Sequence, residues 1–214
     1  MTRIATVTVS ALAAIVAALL FSANAQDATM TPAEAEDGQT TATAVFAGGC
    51  FWCVEADFEK KDGVIKAVSG YTGGFLENPT YEQVTYERTG HFEAVKVFYD
   101  PTIVSYQELV RYFFRTIDPL DDEGQFCDKG ASYRTAIFPA NADERLTALD
   151  EKAAAAKELN AEIVTQVIDL GPFYQAEDYH QDYYKKNRVK YSIYRTGCGR
   201  DRRLTRLWGS KPAG

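Results

Sequence analysis

The densest chemistry in the sequence lies in Gly48-Gly49-Cys50-Phe51-Trp52-Cys53. A β-branched, alternating stretch precedes it, and apolar residues at helical spacing follow it, so Cys50 falls at a strand-to-helix turn. A helix start presents unpaired N–H groups and the positive end of the helix dipole. A thiol there is expected to favour its thiolate, which is the nucleophilic form. The glycine pair lets backbone donors approach whatever binds, and Trp52 beside a nucleophile suits a wall against a ligand. Cys-x-x-Cys also admits a zinc half-site, a redox dithiol and a structural disulfide. Zinc needs a second ligand pair at short spacing, whereas Cys127 and Cys198 stand alone and His91 and His180 are isolated, so no metal is expected. The dithiol and the structural disulfide remain open at this point.

A second group is Gly90-His91-Phe92-Glu93-Ala94, at the start of a strand. Alternation sends Phe92, Ala94 and Lys96 to one face and Glu93, Val95 and Val97 to the other. The valines read as core, so Glu93 is expected to point inward at the sheet end, where burial raises a carboxyl pKa and makes it an acid near neutral pH; a strand-end glutamate leaning into solvent is the open alternative. His91 reads as a turn residue. Tyr81 and Tyr133 each offer an O–H on a rigid stem.

The elements that must position these groups follow from the pattern. Strands are predicted near 43–47, 64–71, 92–99, 133–138 and 163–168. Helices are predicted over 51–60, from the capping box Ser105/Glu108 to about Thr116, from Asn141 to about Leu159, and from about Ala176 to Asn187. The tail around Gly197-Cys198-Gly199 reads as irregular. The order β-α-β-β-α-β implies an α+β fold: a ferredoxin-like split βαβ core, a mixed sheet with helices packed on it.

The chain has 214 residues, which allows one domain with appendages. Its formal net charge of −7, without a basic run, argues against nucleic acid as a partner. Residues 1–25 carry one charge, Arg3, then an apolar run and Ala23-Asn24-Ala25, the pattern of a signal peptide. The expected location is therefore the periplasm, or the membrane surface if the segment stays uncleaved as an anchor. Residues 26–42 read as a disordered leader, and 43–214 as the catalytic domain.

The sequence resembles the A-type peptide methionine sulfoxide reductases. The matching segments are GGCFWC at 48–53, GVxxxxSGYTGG at 63–74, NPTYEQV at 78–84, GHFEAV at 90–95, Asp128 with YRTAIF at 133–138, and FYxAEDYHQDYY at 173–184. The loop GQFCDKG, Arg188, Ser192 and the placing of Cys198 depart from the usual pattern. The resemblance implies that Cys50 attacks the sulfoxide sulfur and that Phe51 and Trp52 hold the substrate methyl. Glu93, Tyr81 and Tyr133 would hold and protonate the oxygen, and Asp128 would position the substrate. It implies the S epimer as substrate, no cofactor, and a monomer recycled by a thioredoxin-like reductant. A thiol–disulfide oxidoreductase acting through Cys50 and Cys53, and a disulfide-stapled binding module without free thiols, are the competing classes.

A sulfenic acid left on Cys50 needs a second thiol. Cys198 is the expected one: glycines flank it, and Arg200, Arg202 and Arg203 follow it. Closure onto Cys53 and a structural Cys127–Cys198 disulfide are the alternatives.

Overall fold

The computed structural model describes residues 40–86 and 88–209. The expected signal peptide and the leader through residue 39 lie outside the described residues. In chain order the elements are β1 (Ala42–Gly48), α1 (Phe51–Phe58), β2 (Val64–Thr72), α2 (Tyr81–Tyr86), β3 (Phe92–Tyr99) and α3 (Tyr106–Thr116). A small hairpin of β4 (Gly124–Gln125) and β5 (Asp128–Lys129) and a 3-10 turn over Ala131–Tyr133 lead to β6 (Thr135–Phe138) and α4 (Ala142–Leu159). The chain ends with β7 (Gln166–Val167), β8 (Tyr174–Gln175), α5 (Tyr183–Lys186), α6 (Arg188–Gly197) and α7 (Arg200–Trp208).

The sheet order is β7-β6-β1-β3-β2-β8. Its central part, β6-β1-β3-β2, is antiparallel throughout, and β7 joins β6 in parallel. This is the split βαβ core with a mixed sheet. The registers Gly48↔Thr135, Phe46↔Val95 and Tyr71↔Glu93 bring the end of β1, the starts of β3 and β6 and the end of β2 to one end of the sheet. Cys50, Glu93 and Tyr133 therefore meet there.

Strand alternation sorts the core into two layers. Phe46, Val95, Val97 and Ile137 face the helices, where Phe46 stacks on Phe58 at 4.9 Å and on Phe113 at 5.0 Å. Val45, Ala47, Phe92, Ala94, Ala136 and Phe138 face the other way, under Ile168, Leu170 and Phe173. Burying a ring such as Phe46 stabilises by about 1.5–3 kcal/mol. Helix α3 starts with a complete capping box, Ser105 Oγ accepting from Glu108 N and Glu108 Oε2 accepting from Ser105 N. Asn141 caps α4 by accepting from Glu144 N at 2.9 Å, and Asn160 ends it in the left-handed conformation.

Three expectations need correction. The strand predicted over 163–168 shrinks to Gln166–Val167, because Val164 N bonds instead to the Pro119 carbonyl outside the sheet. The helix predicted over 176–187 is only Tyr183–Lys186, because side chains tie the preceding turn down: Gln181 Nε2 donates to the Ser69 and Ala176 carbonyls. The tail is two helices, α6 and α7, meeting at Gly199 (φ +71), and Arg200, Leu204 and Trp208 form the buried stripe of α7. The glycines mark a helix–helix corner rather than a loose end.

Candidate active site

Cys50 is the N-cap residue of α1 and is buried. Gly49 before it has φ +83, and a Cβ there would sit 2.5 Å from Gln125 Cβ, so the turn tolerates only glycine. Gln125 in turn bonds both the N–H and the carbonyl of Asp118, which fixes the loop beneath the turn.

Glu93 reaches the same turn from β3. It is 2% exposed, and its Oε2 accepts from Phe51 N at 3.0 Å. Burial, reinforced by the Asp128 carboxylate, pushes its pKa up to about 8 against the opposing hydrogen bonds from Phe51 N–H and the Tyr133 hydroxyl. The carboxyl is thus protonated at neutral pH. Tyr81 and Tyr133 line the same cavity as Glu93 and interact with it electrostatically, so two phenols and an acid face one space. Burial raises both phenol pKa values, which keeps them as donors.

The expected lowering of the Cys50 pKa is not what the structure holds. Burial pushes this thiol well above its ordinary value, and Cys53 and Glu93 add to the rise. The physical reason is twofold: desolvation disfavours the anion, and the first helix N–H is already engaged by Glu93. At rest the pocket therefore holds a neutral thiol opposite a neutral acid.

The walls are aromatic. Trp52 stacks on Tyr183 at 3.7 Å with an interplanar angle of 6°, and its indole N–H donates to His180 Nδ1 at 3.0 Å. Burial lowers the His180 pKa to about 4, so the ring stays neutral and can accept. Phe51 packs against Tyr81 and His180. Glu177 accepts from Tyr81 N at 2.9 Å and from the Tyr71 hydroxyl at 2.8 Å, which anchors the start of α2. Asp128, at the start of β5, accepts from the Tyr194 hydroxyl at 2.5 Å, and Tyr194 lines the same cavity as Cys50.

These side chains enclose a cavity of about 90 Å³ lined by Cys50, Phe51, Trp52, Tyr81, Glu93, Asp128, Tyr133 and Tyr194. A cavity of roughly 150 Å³ takes a benzene ring, so this one takes a head group of a few heavy atoms. It brings together every expected site residue except Cys198, which is bonded to Cys127 with a Cα–Cα distance of 4.8 Å. Cys50 and Cys53 are free, buried thiols one helical turn apart, Cys53 N donating to the Cys50 carbonyl at 3.0 Å. Cys198 is thus not the thiol facing Cys50 in this structure. Its helix is seated by the buried stripe of α7, so it does not swing freely as the flanking glycines suggest. Sequence reasoning missed Tyr194, and it named His180 and Arg200 without giving them the places the structure shows, His180 under Trp52 and Arg200 buried against the Gly48 carbonyl. The helical spacing of Tyr191, Tyr194 and Cys198 was the available signal for the first.

Comparison with known proteins decides the lineage. The family model "Peptide methionine sulfoxide reductase" matches residues 42–212. The chain belongs to this family. A peptide methionine sulfoxide reductase of Caulobacter vibrioides is 51% identical over 79% of this chain and 86% of its own length. One from Ligilactobacillus salivarius is 52% identical over 78% of this chain and 97% of its own. Among solved structures, methionine sulfoxide reductase A of Corynebacterium diphtheriae matches with a TM-score of 0.67 and 35% identity, covering 70% of this chain and 76% of that one.

Among the described residues, two side-chain groups have metal-ligand composition, Cys127/Asp128/Cys198 and Glu55/Glu59/Asp182. The sulfurs of the first are joined in the disulfide. In the second, Glu55 accepts from Ser69 and Asp182 N, and Glu59 pairs with Lys185. Neither carries a metal-site reading here.

Proposed function

We propose that this protein reduces methionine-S-sulfoxide, free or in proteins, to methionine, as a thiol-dependent repair enzyme. The observation that carries the reading is a cysteine sulfur facing a neutral carboxyl and two phenols in a small, aromatic-walled cavity. Attack of the Cys50 sulfur on the sulfoxide sulfur drives charge onto oxygen, and the thiol proton that Cys50 gives up replaces the one that Glu93 delivers. Proton donation from Glu93, with hydrogen bonds from Tyr81 and Tyr133, stabilises that oxygen as the charge develops. Phe51 and Trp52 hold the methyl group in their aromatic corner, and Asp128 positions the rest of the substrate. Oxygen transfer leaves methionine as the thioether and Cys50 as a sulfenic acid.

The second half of the cycle removes that oxidation. Cys198 carries it out of the pocket and shares it with Cys127. A thioredoxin-like dithiol then opens the Cys127–Cys198 bond by exchange. The bond itself supports this role, since it joins an exposed loop residue to the end of α6, one turn from the pocket residue Tyr194. The signal-like composition of residues 1–25 supports action in the periplasm.

The test is dithiol-driven turnover of a racemic methionine sulfoxide peptide, with chiral separation of the remainder. Loss of the S epimer alone is expected. Loss of the R epimer, or no turnover, overturns the reading.

A further inference from the structure

Trp52 is held on two sides by one short turn. Its indole N–H donates to His180 Nδ1, and its face stacks on Tyr183. Between those two supports the backbone bends at Asp182, a non-glycine residue with φ +53 and ψ +30. That left-handed conformation is strained for a residue with a side chain, so it persists only where its neighbours hold it. The holding group is Glu55 of α1, which is 1% exposed and is not among the cavity-lining side chains. Its Oε1 accepts from Asp182 N at 2.6 Å, and its Oε2 accepts from the Ser69 hydroxyl. Ser69, buried on β2, ties the same segment a second way. Its N–H donates to Gln181 Oε1 at 3.0 Å, and its carbonyl accepts from Ala176 N at 2.9 Å. Glu55 therefore stands between α1 and β2 and reaches the turn that carries both supports of the indole.

We propose that Glu55 is a positioning residue that sets the size limit of the cavity: by fixing the turn at Asp182, it holds the Trp52 wall where a methyl group on the sulfoxide fits and a larger alkyl group does not. This rests on the proposed reading of the cavity as the sulfoxide site. A cavity of about 90 Å³ has no slack for a further methylene while its walls stay in place. Packing alone does not keep this wall in place. Trp52 and Tyr183 are both half-buried, so the core does not wedge them, and the bond from Asp182 N to Glu55 decides where the stacked pair stands.

The role is one of shape rather than of charge. Burial lifts the Glu55 pKa to about 7, reinforced by Glu59 and Asp182 and opposed by the bonds from Ser69 and Asp182 N–H. Lys185 pairs with Glu59 and with Asp182. A neutral side chain of the same length as Glu55 keeps an acceptor for Asp182 N–H, whereas a shorter one with the same charge does not.

The test compares peptides that differ only in the alkyl group on the sulfoxide, methyl or ethyl, both as S epimers and both with a small dithiol as reductant. With the unaltered full chain, kcat/KM should favour the methyl peptide by roughly tenfold or more, the worth of one methylene in a well-held pocket. Glu55→Asp draws the acceptor back from Asp182 N by roughly 1.5 Å. Glu55→Asp and Glu55→Ala should cut the methyl preference to about twofold and raise KM for the methyl peptide several-fold, while Glu55→Gln keeps most of both values. The fall in single-turnover rate through about pH 8 should stay in place in all of these variants, because Glu93 is untouched. A methyl preference that survives in Glu55→Asp overturns the proposal, even if that variant melts at a lower temperature, since Glu55 would then only stabilise the fold. This arm also decides the matter where Glu55→Ala does not fold. Absence of any preference in the unaltered chain overturns the proposal, as does an equal loss in Glu55→Gln and Glu55→Asp. Failure of the unaltered chain to reduce the methyl peptide overturns the function reading instead.

Discussion

The four cysteines form two pairs in opposite surroundings. Cys50 and Cys53 are free, buried at the start of α1 and walled by aromatic rings, with a neutral carboxyl opposite. Cys127 and Cys198 are joined; Cys127 is exposed at the turn of the β4–β5 hairpin, and Cys198 is half-buried at the C-terminal end of α6. The difference matches two kinds of chemistry. Oxygen transfer needs a dry cavity where a proton donor and its acceptor are held in place. Thiol–disulfide exchange with another protein needs a sulfur that the partner can reach. The greatest separation should appear with Cys50→Ser, which is expected to reduce methionine release to background, because a hydroxyl is a far weaker nucleophile than a thiol. Appreciable turnover by that variant would remove Cys50 from the mechanism.

The outer pair should behave differently. Cys198→Ser is expected to release methionine once per chain and then stall with a thioredoxin-like reductant. A full steady-state rate in this variant would show that the partner reduces the inner pair directly, and the distinction between inner and outer roles would fail.

How much of this contrast is legible in the sequence differs between the two regions. The inner one reads well. The glycine break before Cys50 and the apolar spacing after it mark a helix start, and alternation along Phe92–Val97 assigns Glu93 to the same face as Val95 and Val97, in line with its bond to Phe51 N of α1 on the helix side of the sheet. The outer one reads poorly. Gly197 and Gly199 signal looseness, but the stripe Arg200, Leu204, Trp208 buries α7 against the body of the protein, and one member of that stripe is an arginine that no apolar pattern would select. The state of the Cys50 thiol is also invisible in sequence. Helix-start position argues for a lowered pKa, whereas desolvation, which depends on Trp52, Tyr194 and the tail closing over it, decides for a raised one.

Glu93 sharpens the inner half of the contrast. Glu93→Gln keeps the shape but cannot deliver a proton, so the reductive step should slow by about 10²–10⁴-fold. The pH dependence has a definite sign. The carboxyl is held neutral below about 8, so the single-turnover rate should fall as pH rises through that value, and this limb should vanish in Glu93→Gln. A reductive rate unchanged by the substitution would reduce Glu93 to a packing residue.

The smallest effect is expected where the two regions touch. Tyr194 belongs to α6, one turn before Cys198, yet its hydroxyl donates to Asp128 Oδ2, it lines the cavity of Cys50, and its ring stands edge-on to Trp52 at 5.9 Å. Tyr194→Phe keeps the ring and removes the hydroxyl. Asp128 then loses the hydrogen bond that opposes its burial, so its carboxyl pKa, already raised, should rise further. A hydrogen bond to a charged group contributes about 1.5–3 kcal/mol, and water reaching the half-buried Asp128 offsets part of that. The expected loss is therefore about tenfold in single-turnover rate. Recycling should slow by a similar factor, because the same hydroxyl ties the end of α6 to the pocket. Stopped-flow methionine release and reductant consumption, measured on one preparation, give the two factors side by side. Equal factors make Tyr194 the mechanical link between the pairs, and a loss confined to the reductive step assigns it to the inner pair alone.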